Sequence, residues 1–368
     1  MWVALGSHGA QSATEISQQA TATLIANAQP NVRDARGWAI DLLDVLRLHG
    51  LPASRENICS SIAIIAQESG FQADPAVTGL GRLAEKSIRS KLDAIPLLGS
   101  SALNFLETTP SAKNSYMQRI RAARTERDLD MTYRAMVADA ARQSSLGVVV
   151  ESGLLNTLIE DRNQINTIGS MQVSVSFAMN IAKQRRWLPM SLNDAYGVRD
   201  ELYTRHGGLY YGVLQLLGYE TGYDRKIYRF ADYNAGRYAS RNAAFQKQVA
   251  ALSGVKLATD GDLLLYDKSG RAQKKLSSSE KALRKIMDAI DDKQLRADLL
   301  HEKKNDFVQT RTYIAVREKY GKTVGQAASF AEVPAISLSS IKIKNAMTTQ
   351  NFADRVNKRY QACVAKKL

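Results

Sequence analysis

A mainly α-helical fold is predicted by three features of this 368-residue sequence: apolar residues recur at helical spacing, Ser and Gly stand where such segments would start and stop, and strand-like alternation is scarce. Its 45% hydrophobic content can bury a large core, as one large domain or two ordinary ones. Met1-Trp2-Val3-Ala4-Leu5 is too short and uncharged for a signal peptide, so an exported protein would be seen here without its leader. Residues 1–31, rich in Ser, Gln, Ala and Thr from residue 7 on, read as a polar tail or tether. Ser54 is placed to cap a helix that starts near Arg55 and Glu56, carries Ile58, Ile62 and Ile65 on one face, and stops at Gly70. Gly79-Leu80-Gly81-Arg82-Leu83-Ala84 loosely matches a dinucleotide fingerprint. No strand precedes it and Asp74-Pro75 reads as a turn, so a loop is expected there.

Residues 113–142 are charged with interspersed Tyr116, Ile120, Leu129, Tyr133 and Met136, which predicts surface helices. Segments 175–187 and 240–252 predict two more, the second ending before Gly254. Ser277 with Glu280 forms a capping-box pattern ahead of the stripe Leu283, Ile286, Met287 and Ile290, and Phe307 to Tyr320 predicts a helix ended by Gly321. Extended structure is expected only in a small hairpin arm at 263–270 and a short piece from Ile336 to Ile343. No internal repeat is visible.

Fifty Lys and Arg against 36 Asp and Glu give a formal charge of +14, which favours anionic lipid, the carboxylate-bearing cell wall or nucleic acid as partners. The charges are scattered, with mild enrichment in 268–304 and 342–367, as on a solvated surface. No zinc-finger or RNA-recognition signature occurs, so nucleic acid is not the expected partner. The four histidines lie far apart, the two cysteines match no metal motif, and Gly-x-Ser-x-Gly is absent. No metal and no organic cofactor is therefore expected.

Three short runs carry chemistry: Gln67-Glu68-Ser69-Gly70-Phe71, Gly169-Ser170-Met171-Gln172 and Asp232-Tyr233-Asn234-Ala235-Gly236. A carboxylic acid protonates a leaving glycosidic oxygen near neutral pH only if its pKa is raised. Glu68 projects about 40 to 60 degrees from Ile64 and Ile65 on the helical wheel, at the edge of an apolar face that could desolvate it. In this order the runs resemble the active site of lytic transglycosylases and goose-type lysozymes, over about 90 residues around them. More loosely, the whole chain is similar to an uncharacterised group of bacterial envelope lipoproteins that carry the same triple.

The resemblance implies a lysozyme-like catalytic domain at 32–254, with a helical insertion at about 75–166, and a C-terminal extension at 255–368 packed on the core. Glu68 and Gly169 lie 101 positions apart, several times the separation expected in simple members, which is why an insertion is invoked. It also implies cleavage of the β-1,4 bond between MurNAc and GlcNAc in peptidoglycan glycan strands, in the periplasm, by a protein held at the outer membrane through a lipid anchor. Glu68 would act as acid to the leaving oxygen, then as base to the substrate's own C6 hydroxyl, closing a 1,6-anhydro ring. Ser69 would hydrogen-bond near Glu68 or the sugar, Met171 and Gln172 would line the cleft, and Tyr233 and Asn234 would position the muramoyl unit. A muramidase using water, for which Asp232 keeps a second carboxylate available, and a non-catalytic peptidoglycan-binding scaffold are the alternatives.

Two departures accompany the resemblance. Ser170 stands where Leu is frequent, and Glu151-Ser152-Gly153 repeats the tripeptide of Glu68. Glu68 is preferred because a capped apolar helix precedes it and Phe71 follows. Nine of the 15 tyrosines lie between 196 and 238, an aromatic density that suits both a sugar-binding wall and a core. Export, as the resemblance implies it, would put Cys59 and Cys363 in an oxidising compartment, where two cysteines have one intramolecular pairing available. The alternative is a buried thiol at Cys59 and a separate one near the terminus.

Overall fold

The computed structural model describes residues 15–94, 98–143, 165–267, 270–338 and 347–367, and it is mainly α-helical. In chain order the helices are α1 (Gln18–Ala28), α2 (Ala35–Leu48), α3 (Arg55–Glu68), α4 (Leu80–Asp93), α5 (Leu98–Thr108), α6 (Tyr116–Ala122) and α7 (Glu126–Gln143). They continue as α8 (Val175–Gln184), α9 (Leu192–Leu202), α10 (Arg205–Leu217), α11 (Lys226–Ala235), α12 (Ala239–Ser253), α13 (Ser278–Ile286), α14 (Asp292–Leu299), α15 (Arg311–Val324) and α16 (Thr349–Val364). Two antiparallel pairs of two-residue strands complete the set, β1 (Thr167–Ile168) with β2 (Val173–Ser174) and β3 (Ser337–Leu338) with β4 (Met347–Thr348).

Three hydrophobic clusters organise these helices. The first is built from α1–α3, the β1–β2 hairpin, α8–α11 and α16, around Leu24, Ile25, Leu42, Ile62, Ile65, Met171, Leu209 and Phe230. The second lies among α12–α15 and the segment before α13, where Phe245, Phe307 and Tyr313 pack ring to ring. A small third cluster of Leu106, Tyr116 and Met117 holds α4–α7 together, so the stretch between the first two runs carries a core of its own. Helix α7 fastens it to the main body. There the Asp130–Arg199 pair, at 2.8 Å, is almost wholly buried, and Arg134 bridges Asp130 and Asp200. A buried pair of this kind is strongly destabilising to break, because one charge is left without compensation.

Helix α3 follows the rules read from sequence: Ser54 accepts from the Asn57 amide, and Gly70 in the left-handed region ends it. Ser277 caps α13 by accepting from the Glu280 amide, and Gly254 terminates α12.

Several expectations are corrected. Within the presumed tail, residues 18–28 form α1, whose Thr21, Ala22, Leu24 and Ile25 are buried, because small and aliphatic residues recur on one face despite the polar composition. Residues 79–84 are not a loop: Gly79 stands in the left-handed region at the N-cap of α4, and Gly81 lets the helix approach the backbone of Ile120 and Arg121. The helix expected from Phe307 to Gly321 is split into a 3₁₀ turn (Asn305–Gln309) and α15, with Thr310 capping the latter and Gly325 ending it. The C-terminal extension is not one unit either. Its middle part packs with α12, which lies before the expected boundary at 254, whereas α16 returns to the first core through Phe352, Ala353, Val356 and Tyr360. A disulfide joins Cys363 of α16 to Cys59 of α3, with Cα atoms 5.6 Å apart. The Arg55 guanidinium adds bonds to the Val364 and Lys366 carbonyls. Glu151 lies outside the described residues, as do most of Ile336–Ile343 and all of residues 1–14.

Candidate functional site

Glu68 is the last residue of α3 and is half-buried. Beyond it the chain turns sharply: Gly70 and Phe71 both have φ near +60°, and the Phe71 ring is buried edge-on against Trp38 at 5.3 Å. A non-glycine residue held with positive φ is costly, and here the aromatic anchor fixes it. Ser69, expected beside Glu68 or a sugar, is buried and serves the helix end. Its Oγ donates to the Ile65 carbonyl at 3.3 Å and accepts from the Gln72 amide at 3.3 Å.

The second run is the turn of the β1–β2 hairpin, closed by the Gln172 amide donating to the Gly169 carbonyl at 3.0 Å. Its position depends on missing side chains. Gly169 has φ +82°, and a Cβ there would lie 2.1 Å from the Leu202 carbonyl oxygen. Gly208 and Gly212, one turn apart on α10, open a groove into which Ser170 and Met171 pack, and a Cβ on Gly212 would meet Met171 Sδ at 2.3 Å. Met171 is therefore a core residue with no exposed surface, in place of the cleft-lining role expected for it. Gln172, at φ +50°, is held by its own amide group: Thr167 Oγ1 donates to its Oε1 at 3.1 Å, and its Nε2 donates to Glu126 Oε2 and the Gly169 carbonyl, both at 3.2 Å. With both amide hydrogens so engaged, the side chain supports the turn.

The third run ends α11. Tyr233 is buried and donates from its hydroxyl to the Met171 carbonyl at 2.8 Å, tying the third run to the second. Burial pushes the Tyr233 phenol well above its usual range, and the charge of Glu68 pushes it further, so the first run acts electrostatically on the third. Asn234 is exposed, and its Oδ1 accepts from Thr349 Oγ1 at 3.1 Å, at the start of α16. Gln67 Oε1 accepts from Arg359 Nε of the same helix at 3.3 Å. Helix α16 thus reaches both the first and the third run.

Asp232 is not available as a base for water. It is 1% exposed, and its carboxylate accepts from the Ser240 amide at 2.7 Å, the Tyr238 amide at 2.9 Å and the Tyr223 hydroxyl at 2.7 Å, which fixes the start of α12. Desolvation raises its pKa to about 6 against the pull of those donors. Of the nine tyrosines in this stretch, Tyr203, Tyr211, Tyr233 and Tyr238 are buried and the other five are half-buried.

Sequence reasoning missed Glu126. It opens α7, is 2% exposed, and meets the second run through Gln172, from a segment where Thr125 bridges Ala76 in antiparallel fashion. Its sequence neighbourhood, Arg-Thr-Glu-Arg-Asp, reads as solvated surface, so no local signal marks it. Asp74, read as a turn residue, lies close by, and burial raises its pKa. Among the described residues, no group of three His, Cys, Asp or Glu side chains gathers as a metal site, and no helix is long and apolar enough to cross a membrane.

Comparison with known proteins adds a family. The model of a family described as "Protein of unknown function (DUF1615)" matches residues 31–366. The uncharacterized protein YaiW of Escherichia coli (strain K12) is 36% identical over 336 residues, spanning 91% of this chain and 86% of its own length. No solved structure matches.

Proposed function

The chain belongs to the DUF1615 family, and for it we propose the activity of a peptidoglycan lytic transglycosylase, exported to the periplasm and held at the outer membrane by a lipid anchor. The observation that carries this reading is the convergence of three runs from distant parts of the chain. The Tyr233 hydroxyl bonds the Met171 carbonyl, and Glu68 is close enough to bias the Tyr233 phenol. Glu68 sits half-buried at the end of a buried helix, and in this reading its carboxyl has the role of donating to a leaving glycosidic oxygen. The same group then takes the proton of the C6 hydroxyl as that oxygen attacks the anomeric carbon. Tyr233 holds the second run in register. The exposed Asn234 is the member of the runs available to a sugar amide or hydroxyl.

Water-dependent muramidase action, the rival reading, needs a second carboxylate that can reach water, and Glu126, 2% exposed against Gln172, is as buried as Asp232. Digestion of purified sacculi, followed by mass analysis of the products, tests both. Wild type should release muropeptides with 1,6-anhydro ends, and Glu68→Gln should release none while keeping its thermal transition, since an amide cannot deliver the proton. Reducing ends would favour the muramidase, and an inactive wild type would leave a binding or scaffold protein.

A further inference from the structure

The connection between α8 and α9 is braced at both ends, and its tip is exposed. Helix α8 closes at Arg185, whose amide donates to the Ala182 and Lys183 carbonyls, and α9 opens with a reciprocal capping box between Ser191 and Asp194. Arg186 ties the two ends together through an ion pair with Asp194 at 3.0 Å. On the tip of this braced loop stand Trp187, 103% exposed, and Leu188, 76% exposed, well beyond the other exposed large apolar residues among those described. An indole and an isobutyl group side by side in water are the kind of apolar surface that marks an interaction site.

Charge selects the partner. Residues 181–190 include Lys183, Arg185 and Arg186 and no acidic residue. Lys183 is exposed, and the Arg185 guanidinium lies over the Tyr210 ring at 5.0 Å, which holds its charge near the foot of the loop. The Arg186 charge is already met by Asp194. A protruding apolar tip above a cationic base matches the layering of a bilayer surface, where an indole settles at headgroup level, an aliphatic side chain reaches the acyl boundary, and basic groups meet lipid phosphates. A glycan-binding aromatic, by contrast, lies in a groove with polar side chains to fix the sugar hydroxyls, and here the ring has Leu188 and Pro189 beside it.

We propose that Trp187 and Leu188, with Lys183 and Arg185 behind them, form a docking tip for the surface of an anionic phospholipid bilayer. This rests on the loop alone and is independent of the cleavage reading. Because α8 follows directly on the β1–β2 hairpin, docking here fixes the orientation of the candidate site relative to the membrane.

Co-sedimentation of the 368-residue chain with phosphatidylglycerol–phosphatidylcholine vesicles tests it, with pure phosphatidylcholine vesicles and purified sacculi as parallel arms. Wild type should bind the anionic vesicles, less so the neutral ones, and less as salt rises. The W187A/L188A variant should bind roughly tenfold or more weakly, from the apolar area removed, and K183E/R185E should lose the preference for anionic lipid. Both should keep the wild-type thermal transition, since the altered side chains are exposed. Quenching of wild-type fluorescence by brominated lipid, reduced in W187F to what Trp2 and Trp38 contribute, provides a second measurement that does not depend on the multiple variants folding. Absence of vesicle binding by wild type, or equal binding by W187A/L188A, would overturn the proposal. So would a loss confined to the sacculus arm, which would make the tip a glycan contact.

Discussion

Reducing the Cys59–Cys363 bond should weaken the whole first core and free one helix before the rest. The bond closes a loop of 304 residues, and the chain-entropy model assigns about 5 to 6 kcal/mol to so long a loop, an upper figure because strain and residual structure in the unfolded chain lower it. Measured values for disulfides cluster around 2–4 kcal/mol, so the expected loss is about 3 kcal/mol. After reduction, α16 is still held by the burial of Phe352, Val356 and Tyr360 and by the two bonds from Arg55, so the protein should stay folded at 25 °C. Urea unfolding with and without reductant measures the loss as a lower midpoint. Amide exchange should rise first in residues 349–364, with the second core, around Phe245 and Phe307, unchanged. Two thiols should titrate after reduction and none before. Unchanged midpoint and exchange on full reduction, or two free thiols in the unreduced unfolded chain, would refute the reasoning.

Two further outcomes concern the interior. Glu302 is fully buried, accepting from the Leu263 amide and the Tyr266 hydroxyl, and desolvation raises its pKa to about 7. Asp232 is raised to about 6. A raised acid binds its proton more tightly when folded, so this stability is complete below about pH 4, where the unfolded groups are also protonated, and is lost as pH climbs through 6 to 7. Denaturation between pH 4 and 8 should show a decline of a few kcal/mol with rising pH from these two groups, and Glu302→Gln should flatten its share; a decline unaltered in that variant would refute the assignment. Gln172→Ala and Asn234→Ala should separate in a thermal melt. The first removes bonds to Thr167, Glu126 and Gly169 and should cost about 1–3 kcal/mol, whereas the second loses one exposed bond to Thr349 and should stay within about 0.5 kcal/mol; equal losses would mean that Gln172 is not the clamp of its turn.

The sequence alone determined what depends on residues near one another in the chain. The start of α3 at Ser54, its end at Gly70, the cap at Ser277 and the stop at Gly254 follow from local hydrogen-bonding and φ preferences, which the residue types carry with them. The three runs were legible for the same reason, since each is a short turn or helix end with its own composition. Tertiary structure decided what those residues face. Met171 reads as a cleft residue until Gly208 and Gly212 of α10 are seen to make room for it, and Gln172 reads as a substrate contact until Thr167 and Glu126 are seen to occupy its amide. Asp232 reads as a spare carboxylate until the amides of Tyr238 and Ser240 close on it. Glu126 had no signal at all, because its partner lies 46 positions away. Likewise α1, polar in composition, and α16, remote in sequence, belong to the first core through contacts made only on folding. Apolar burial and hydrogen-bond satisfaction are set by which surfaces meet in space, and for residues so far apart along the chain no local pattern records that meeting.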